Sequence, residues 1–323
     1  MYLPALTDLR GRLGLVAGCL RLKQWVRLKW DGDSLVTEYG QRVQTFKGRD
    51  VQRTLGPLLK LLDGTRTRDQ IEREFPGRRE IATKGLQALE NAGLLVEQSS
   101  PVPSAAALEV LAEESSSIVS IDELADRRAA GRVGIVGSGP VRELVESALV
   151  ADGLFVESVS WLAASTTNGL SVVIATPAAN ELTELDAWNH QAQSESVPWF
   201  PVLPFDGLVS FVGPFVVPGE TACLECFYER ARLASQFGDA DWLRETPVAA
   251  PQPAWLLFTQ AGIAADVATR WVVVRDDMLP GCCYVLERRR RLDVTTHFVF
   301  KVPRCGTCSR ASGHAMPLPW GES

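Results

Sequence analysis

Four cysteines in two C-x-x-C pairs, Cys223-Leu224-Glu225-Cys226 and Cys305-Gly306-Thr307-Cys308, are the residues best suited to chemistry in this 323-residue chain. A pair of thiolates on a tight turn offers two soft ligands, and two such pairs complete the tetrahedral set that zinc prefers in closed sites. The spacing predicts one structural zinc ion held by Cys223, Cys226, Cys305 and Cys308, joining distant segments. A complete four-sulfur site leaves no open position for substrate, so the ion is expected to stabilise rather than to catalyse. Two redox C-x-x-C motifs would look the same, but no thioredoxin-like pattern surrounds either pair. Cys19, Cys282 and Cys283 read as small buried apolar residues, and the odd total of seven cysteines argues against a disulfide scaffold.

The second feature is Gly137-Ser138-Gly139, which follows a strand-like run and precedes a helix-like one, the place where backbone amides cradle phosphate. Arg142 stands where the third glycine of G-x-G-x-x-G would allow close packing. No acidic residue ends the following strand, Ser158-Val159-Ser160-Trp161, and Glu157 lies inside it. A nucleotide-free α/β scaffold is therefore the favoured interpretation. The three histidines, His190, His297 and His314, neighbour no Ser or Cys in a recognisable nucleophilic motif. Arg288-Arg289-Arg290-Arg291 reads as a solvated hairpin turn, with anion binding as the alternative.

The elements that must position these groups fall into two sets. In the N-terminal part, Trp25–Trp30, Leu35–Tyr39 and Val43–Phe46 alternate as short strands. Helices are expected from Asp50 to Leu62, from Thr67 to Phe75, and from Arg79 to Ala92 with Ile81, Gly85, Ala88, Leu89 and Ala92 inward. A last strand, Leu94-Leu95-Val96, completes a compact winged-helix-like module. Residues 99–130 are polar and turn-prone, a linker with a short helix from Ala105 to Ala112. Beyond it, strands at 133–136, 154–156, 171–175 and 199–203 alternate with helices, the pattern of an α/β domain with a mainly parallel sheet. A ribbon of Tyr284–Leu286 with His297–Val302 delivers the second cysteine pair.

Apolar residues make up 46% and charged residues 22%, the balance of a folded globular chain. No apolar run reaches the length of a membrane span. Leu15-Val16-Ala17-Gly18-Cys19 looks like a lipoprotein cleavage box, but the apolar stretch is short and Asp8 precedes it, so a cytoplasmic location is expected. The net charge of −6 conceals an asymmetry: residues 1–98 hold 17 Lys+Arg against 12 Asp+Glu, whereas the remainder is acidic. A basic N-terminal part suggests a negative partner, either nucleic acid or an acidic peptide.

Taken together, these motifs resemble a known family. Phe205–Pro214 running into Cys223-Leu224-Glu225-Cys226, with Cys305-Gly306-Thr307-Cys308, is similar to the strand and zinc pairs of the E1-like, ThiF/MoeB-type adenylating fold. Residues 20–98 resemble a RiPP precursor recognition element, the winged-helix module that grips leader peptides. The combination resembles the ThiF-like partner proteins of azoline-forming YcaO cyclodehydratases, in the class that makes thiopeptides and related azole-containing peptides or bacteriocins. Pro177 stands about where active relatives carry an Asp, so the resemblance implies a non-catalytic scaffold with no nucleotide cofactor. Its domains would be a recognition element at 1–98, a linker at 99–130 and an E1/ThiF-like domain with the zinc site at 131–323. It also implies leader capture beside Val43–Phe46, with Val43, Thr45, Phe46, Arg79, Lys84, Gln87 and Asn91 in the groove, and a homodimer as a further expectation. Neither nucleic acid nor a membrane is an expected partner. An ATP-dependent peptide-adenylating enzyme and a winged-helix DNA-binding regulator are the alternatives.

Overall fold

The computed structural model describes residues 18–23, 25–39, 42–98, 108–111, 120–161, 169–234, 251–288 and 291–309, and divides the chain into two units, Met1–Asp126 and Arg127–Ser323. Outside the described residues lie 15–17 of the cleavage-box-like run, most of the expected linker, Arg289, Arg290 and His314. Of the expected short helix, residues 108–111 are helical. The end of the expected linker is also a helix, α4 (Ile121–Ala130).

Unit 1 contains two three-stranded sheets. One is the meander β2 (Arg27–Asp31), β3 (Ser34–Tyr39) and β4 (Arg42–Phe46), close to the three strands expected from alternation. The other has the order β5-β1-β6, with β1 (Cys19–Leu22) between β5 (Asp63–Thr67) and β6 (Leu95–Gln98). Neither β1 nor β5 was expected. The sequence of β5, Asp-Gly-Thr-Arg-Thr, has no apolar alternation and reads as a turn; pairing to β1 makes it a strand.

Helices α1 (Val51–Leu61), α2 (Arg68–Glu74) and α3 (Arg79–Asn91) close the core of unit 1. Pro57 inside α1 removes one helical hydrogen bond, yet burial of Leu55, Leu58 and Leu62 around it keeps the helix. Thr67 and Gln70 satisfy each other's backbone amides at the start of α2, the reciprocal cap that its sequence allows. The inward stripe of α3 is Ala82, Gly85, Leu86 and Leu89; of the expected face Gly85 and Leu89 are buried and Ala88 is partly so, whereas Ile81 is exposed. Spacing at i, i+3, i+4 and i+7 puts those four residues on one line, and a side chain at Gly85 would overlap Leu58 of α1. Glycine here sets how closely the two helices approach.

Unit 2 is built on a parallel sheet of order β10-β9-β7-β8, from β7 (Arg132–Val136), β8 (Phe155–Val159), β9 (Val172–Ala175) and β10 (Trp199–Pro201). Every residue of β9 is buried, as the unbroken apolar run of a strand covered on both faces requires. The remaining helices are α5 (Arg142–Ala151), α6 (Leu182–Glu195), α7 (Leu224–Ala234) and α8 (Ala254–Thr269), which continues into a π turn at Arg270–Val274. An antiparallel sheet of β11 (Val209–Val212), β12 (Cys282–Arg288) and β13 (Leu292–Phe298) completes the unit. The terminal ribbon is longer at its start than expected and stops at Phe298, so an irregular segment rather than a strand leads to Cys305. Cys282 and Cys283 are buried as expected, whereas Cys19 is only partly so.

Candidate functional site

The two cysteine pairs, 82 residues apart in sequence, reach one point in unit 2. Cys223 precedes α7 and Cys226 lies in its first turn; Cys305 and Cys308 occupy the turn after β13. All four are buried, and their sulfurs lie within 4.8 Å of one another. Cys223 Sγ is 3.9 Å from Cys226 Sγ and 3.7 Å from Cys305 Sγ, and Cys226 Sγ is 3.4 Å from Cys308 Sγ. Four sulfurs at about 2.3 Å from one zinc would stand roughly 3.8 Å apart, so the cluster has the size of one metal ion. Burial pushes the Cys223 thiol well up and Cys308 up to about 11. For Cys305, burial works upward too, but the amides of Cys308 and Thr307 outweigh it and hold the thiol below its usual range.

The surrounding shell holds the second pair against the first. Val302 donates its amide to Cys226 Sγ at 3.2 Å. From α7, the Arg230 guanidinium donates to the carbonyls of Phe300 and Lys301, the latter at 2.9 Å, and Lys301 Nζ donates to the Gly219 carbonyl at 2.7 Å. Buried Asn189 on α6 accepts from the Leu224 amide at 3.1 Å, satisfying one of the donors at the start of α7. The pattern of cysteines reveals the ligands, but nothing in the sequence points to Arg230, Lys301 or Asn189.

The glycine loop lies at the end of β7. Gly137 has φ of 101°, and a Cβ at Gly139 would stand 2.6 Å from the Pro177 carbonyl oxygen, so the loop packs backbone to backbone on the segment after β9. Gly139 N donates to Thr176 O at 2.8 Å. Arg142, in the third-glycine position, turns its guanidinium across the loop, donating to Gly137 O at 2.6 Å and to Ser158 Oγ at 2.6 Å. Glu181 Oε2 accepts from the amides of Ser138 and Ala178, each at 2.8 Å. Sequence inspection missed Glu181; its one local signal is its position three residues after Ala178, where a carboxylate caps a helical turn.

The residues expected in a peptide groove fall on two elements of unit 1. Strand β4 pairs only with β3 among the described strands, which leaves its other edge without a strand partner. Val43 is 64% exposed and Thr45 is exposed on the same face, while Phe46 turns inward and packs against the cluster containing Leu86 and Leu89 of α3. On α3, Lys84, Gln87 and Asn91 are exposed, and Gln87 Nε2 donates to Asn91 Oδ1 at 2.9 Å. Arg79 is already engaged with Asp69 at 2.6 Å and with buried Glu72 at 2.9 Å; these hydrogen bonds raise its pKa. Its guanidinium ties α3 to α2 before any ligand arrives. His190 and His297 are exposed, and Arg291 pairs with Asp293 beside the hairpin turn.

No protein-family model and no curated protein matches the chain. Solved structures do. The heterocyclase TruD superimposes with a TM-score of 0.68 at 21% identity, over 90% of this chain and 43% of TruD. The microcin C7 biosynthetic enzyme MccB, solved with N-formylated MccA, superimposes with a TM-score of 0.61 at 10% identity, over 90% of this chain and 99% of MccB. E. coli MccB solved with ATP gives 0.62 at 10% identity, over the same shares. The chain thus spans less than half of TruD and nearly all of MccB. At these identities the likeness establishes a shared fold, here a mixed α/β architecture with a parallel sheet. No described helix is long and apolar enough to cross a membrane.

Proposed function

We propose that this chain captures the leader of a ribosomally made precursor peptide and delivers it to a YcaO-type cyclodehydratase that forms thiazoline or oxazoline rings. The observation that carries this is the edge of β4 that pairs with no other described strand, in an N-terminal part, residues 1–98, that holds 17 Lys+Arg against 12 Asp+Glu. A leader adding as a strand along Arg42–Phe46 gains backbone hydrogen bonds for affinity, and Val43 and Thr45 supply side-chain contacts for register while Phe46 anchors β4 to the core. Lys84, Gln87 and Asn91 on α3 offer the polar wall; Arg79 contributes by fixing α3 rather than by meeting the peptide directly. The solved structures similar to the chain support the peptide class, since they include a heterocyclase with its substrate and cofactor and MccB with MccA. Holding the leader raises the effective concentration of the core peptide at the enzyme, which is how a partner without chemistry of its own assists. The four cysteines hold one structural zinc ion in this scheme, and a homodimer is its expected assembly.

The test is fluorescence anisotropy of a labelled leader peptide with the full-length protein, with and without ATP. Saturable binding unchanged by ATP, and weakened about tenfold by Thr45→Pro on the β4 edge, is the expected result. Absence of binding to the leaders encoded beside the gene would sink the assignment. A second reading, an enzyme that adenylates a peptide, is favoured by the likeness to MccB solved with ATP. Peptide-dependent ATP–pyrophosphate exchange would establish it in place of the first.

A further inference from the structure

Open α/β sheets bind ligands at the carboxyl ends of their strands, where successive strands depart to opposite sides. In unit 2 that point lies between β7 and β9. Strand β8 follows β7 on one side, and the chain then crosses over to place β9 on the other. The loops leaving β7 and β9 meet there, Gly139 against Thr176 and Pro177, and each aims a backbone amide at one spot. Glu181 Oε2 occupies that spot, 2.8 Å from Ser138 N and 2.8 Å from Ala178 N. The bond to Ala178 is local, as any helical-turn cap would be. The bond to Ser138 joins two loops 43 residues apart and has no such local explanation.

Backbone amides converging at the end of a strand form a concavity that favours a negative oxygen. We propose that Glu181 is a built-in anion that seals this crevice, so that removing its carboxylate turns the two loops into a site for a phosphate or diphosphate group. Arg142 completes the seal from the other side through Gly137 O and Ser158 Oγ. A carboxylate suits the place because it is ionised there: burial works to raise its pKa, but the amides of Ala178 and Ser138 outweigh burial and hold it below the usual range. The tight loop of a nucleotide site is thereby kept while its phosphate donors are used internally. The seal is independent of peptide capture, which is read on unit 1.

Thermal unfolding and isothermal titration of the full-length protein, with inorganic phosphate and pyrophosphate as probes, test it. The wild type should be indifferent to both anions at constant ionic strength. Glu181→Ala should melt lower, recover in millimolar pyrophosphate but not in matched chloride, and bind pyrophosphate at least tenfold more tightly than the wild type. Glu181→Gln keeps the side-chain shape and carries the same measurement should the alanine variant fail to fold. Wild-type protein binding pyrophosphate as tightly as the variants would overturn the seal. So would a folded variant with no anion-specific recovery.

Discussion

The cysteine cluster and the glycine loop stand in the same unit, and both are places where a motif promises a ligand. They differ in what the protein itself puts at the centre. The cysteines present four buried acceptors of one kind to a common point, and burial raises two of their thiol pKa values, so the thiolates need a cation to be worth forming. At the loop the donors converge on a carboxylate of the chain, so the charge demanded by the backbone is already met. The lesson is that a motif specifies backbone shape and donor type, while the rest of the fold decides whether an outside ligand is wanted.

Metal removal should separate the two sites most sharply. Cys226→Ser, or a strong chelator acting on the wild type, should abolish metal binding by elemental analysis and lower the melting temperature of unit 2 steeply, since structural zinc is worth on the order of 10 kcal/mol. Unchanged stability without metal would break the contrast. A smaller loss is expected from Gly139→Ala, whose Cβ would press on the Pro177 carbonyl at 2.6 Å. The cost by denaturant unfolding should be about 2 kcal/mol, with the loops forced apart. A neutral substitution would mean that the loops are not packed closely enough to seal.

The smallest effect is one of pH. Because the Glu181 pKa is depressed on folding, its contribution is fully present above the ordinary carboxylate range and is lost as pH falls through the lowered value. The stability gap between wild type and Glu181→Gln should therefore be constant near neutrality and close in acid. A gap that widened on acidification would show that the carboxylate is not the charged partner of the two amides.

Much of the candidate chemistry was legible because it is local in sequence. C-x-x-C places two sulfurs on one turn, and Gly-Ser-Gly after an apolar run announces a strand-to-helix turn with a positive φ, here at Gly137. The meander, helices α1 to α3 and the alternation of unit 2 follow from periodicity for the same reason. The misses have a physical cause as well. Strand β5 has no apolar pattern and exists through pairing with β1, and the inward face of α3 is set by how Gly85 meets Leu58. The ion pairs of Arg79 with Asp69 and Glu72 are likewise set by the packing of α2 and α3 rather than announced by any local pattern.

By itself the sequence determined the four cysteines that could serve as a metal donor set, the position of the glycine turn and the strongly periodic elements, because each depends on neighbours a few residues apart. The tertiary structure alone decided that the four sulfurs meet within 4.8 Å, that Arg230 and Lys301 pin their loop, and that Glu181 fills the crevice between β7 and β9. Those outcomes depend on groups tens of residues apart along the chain, whose meeting is set by packing and pairing rather than by any local pattern.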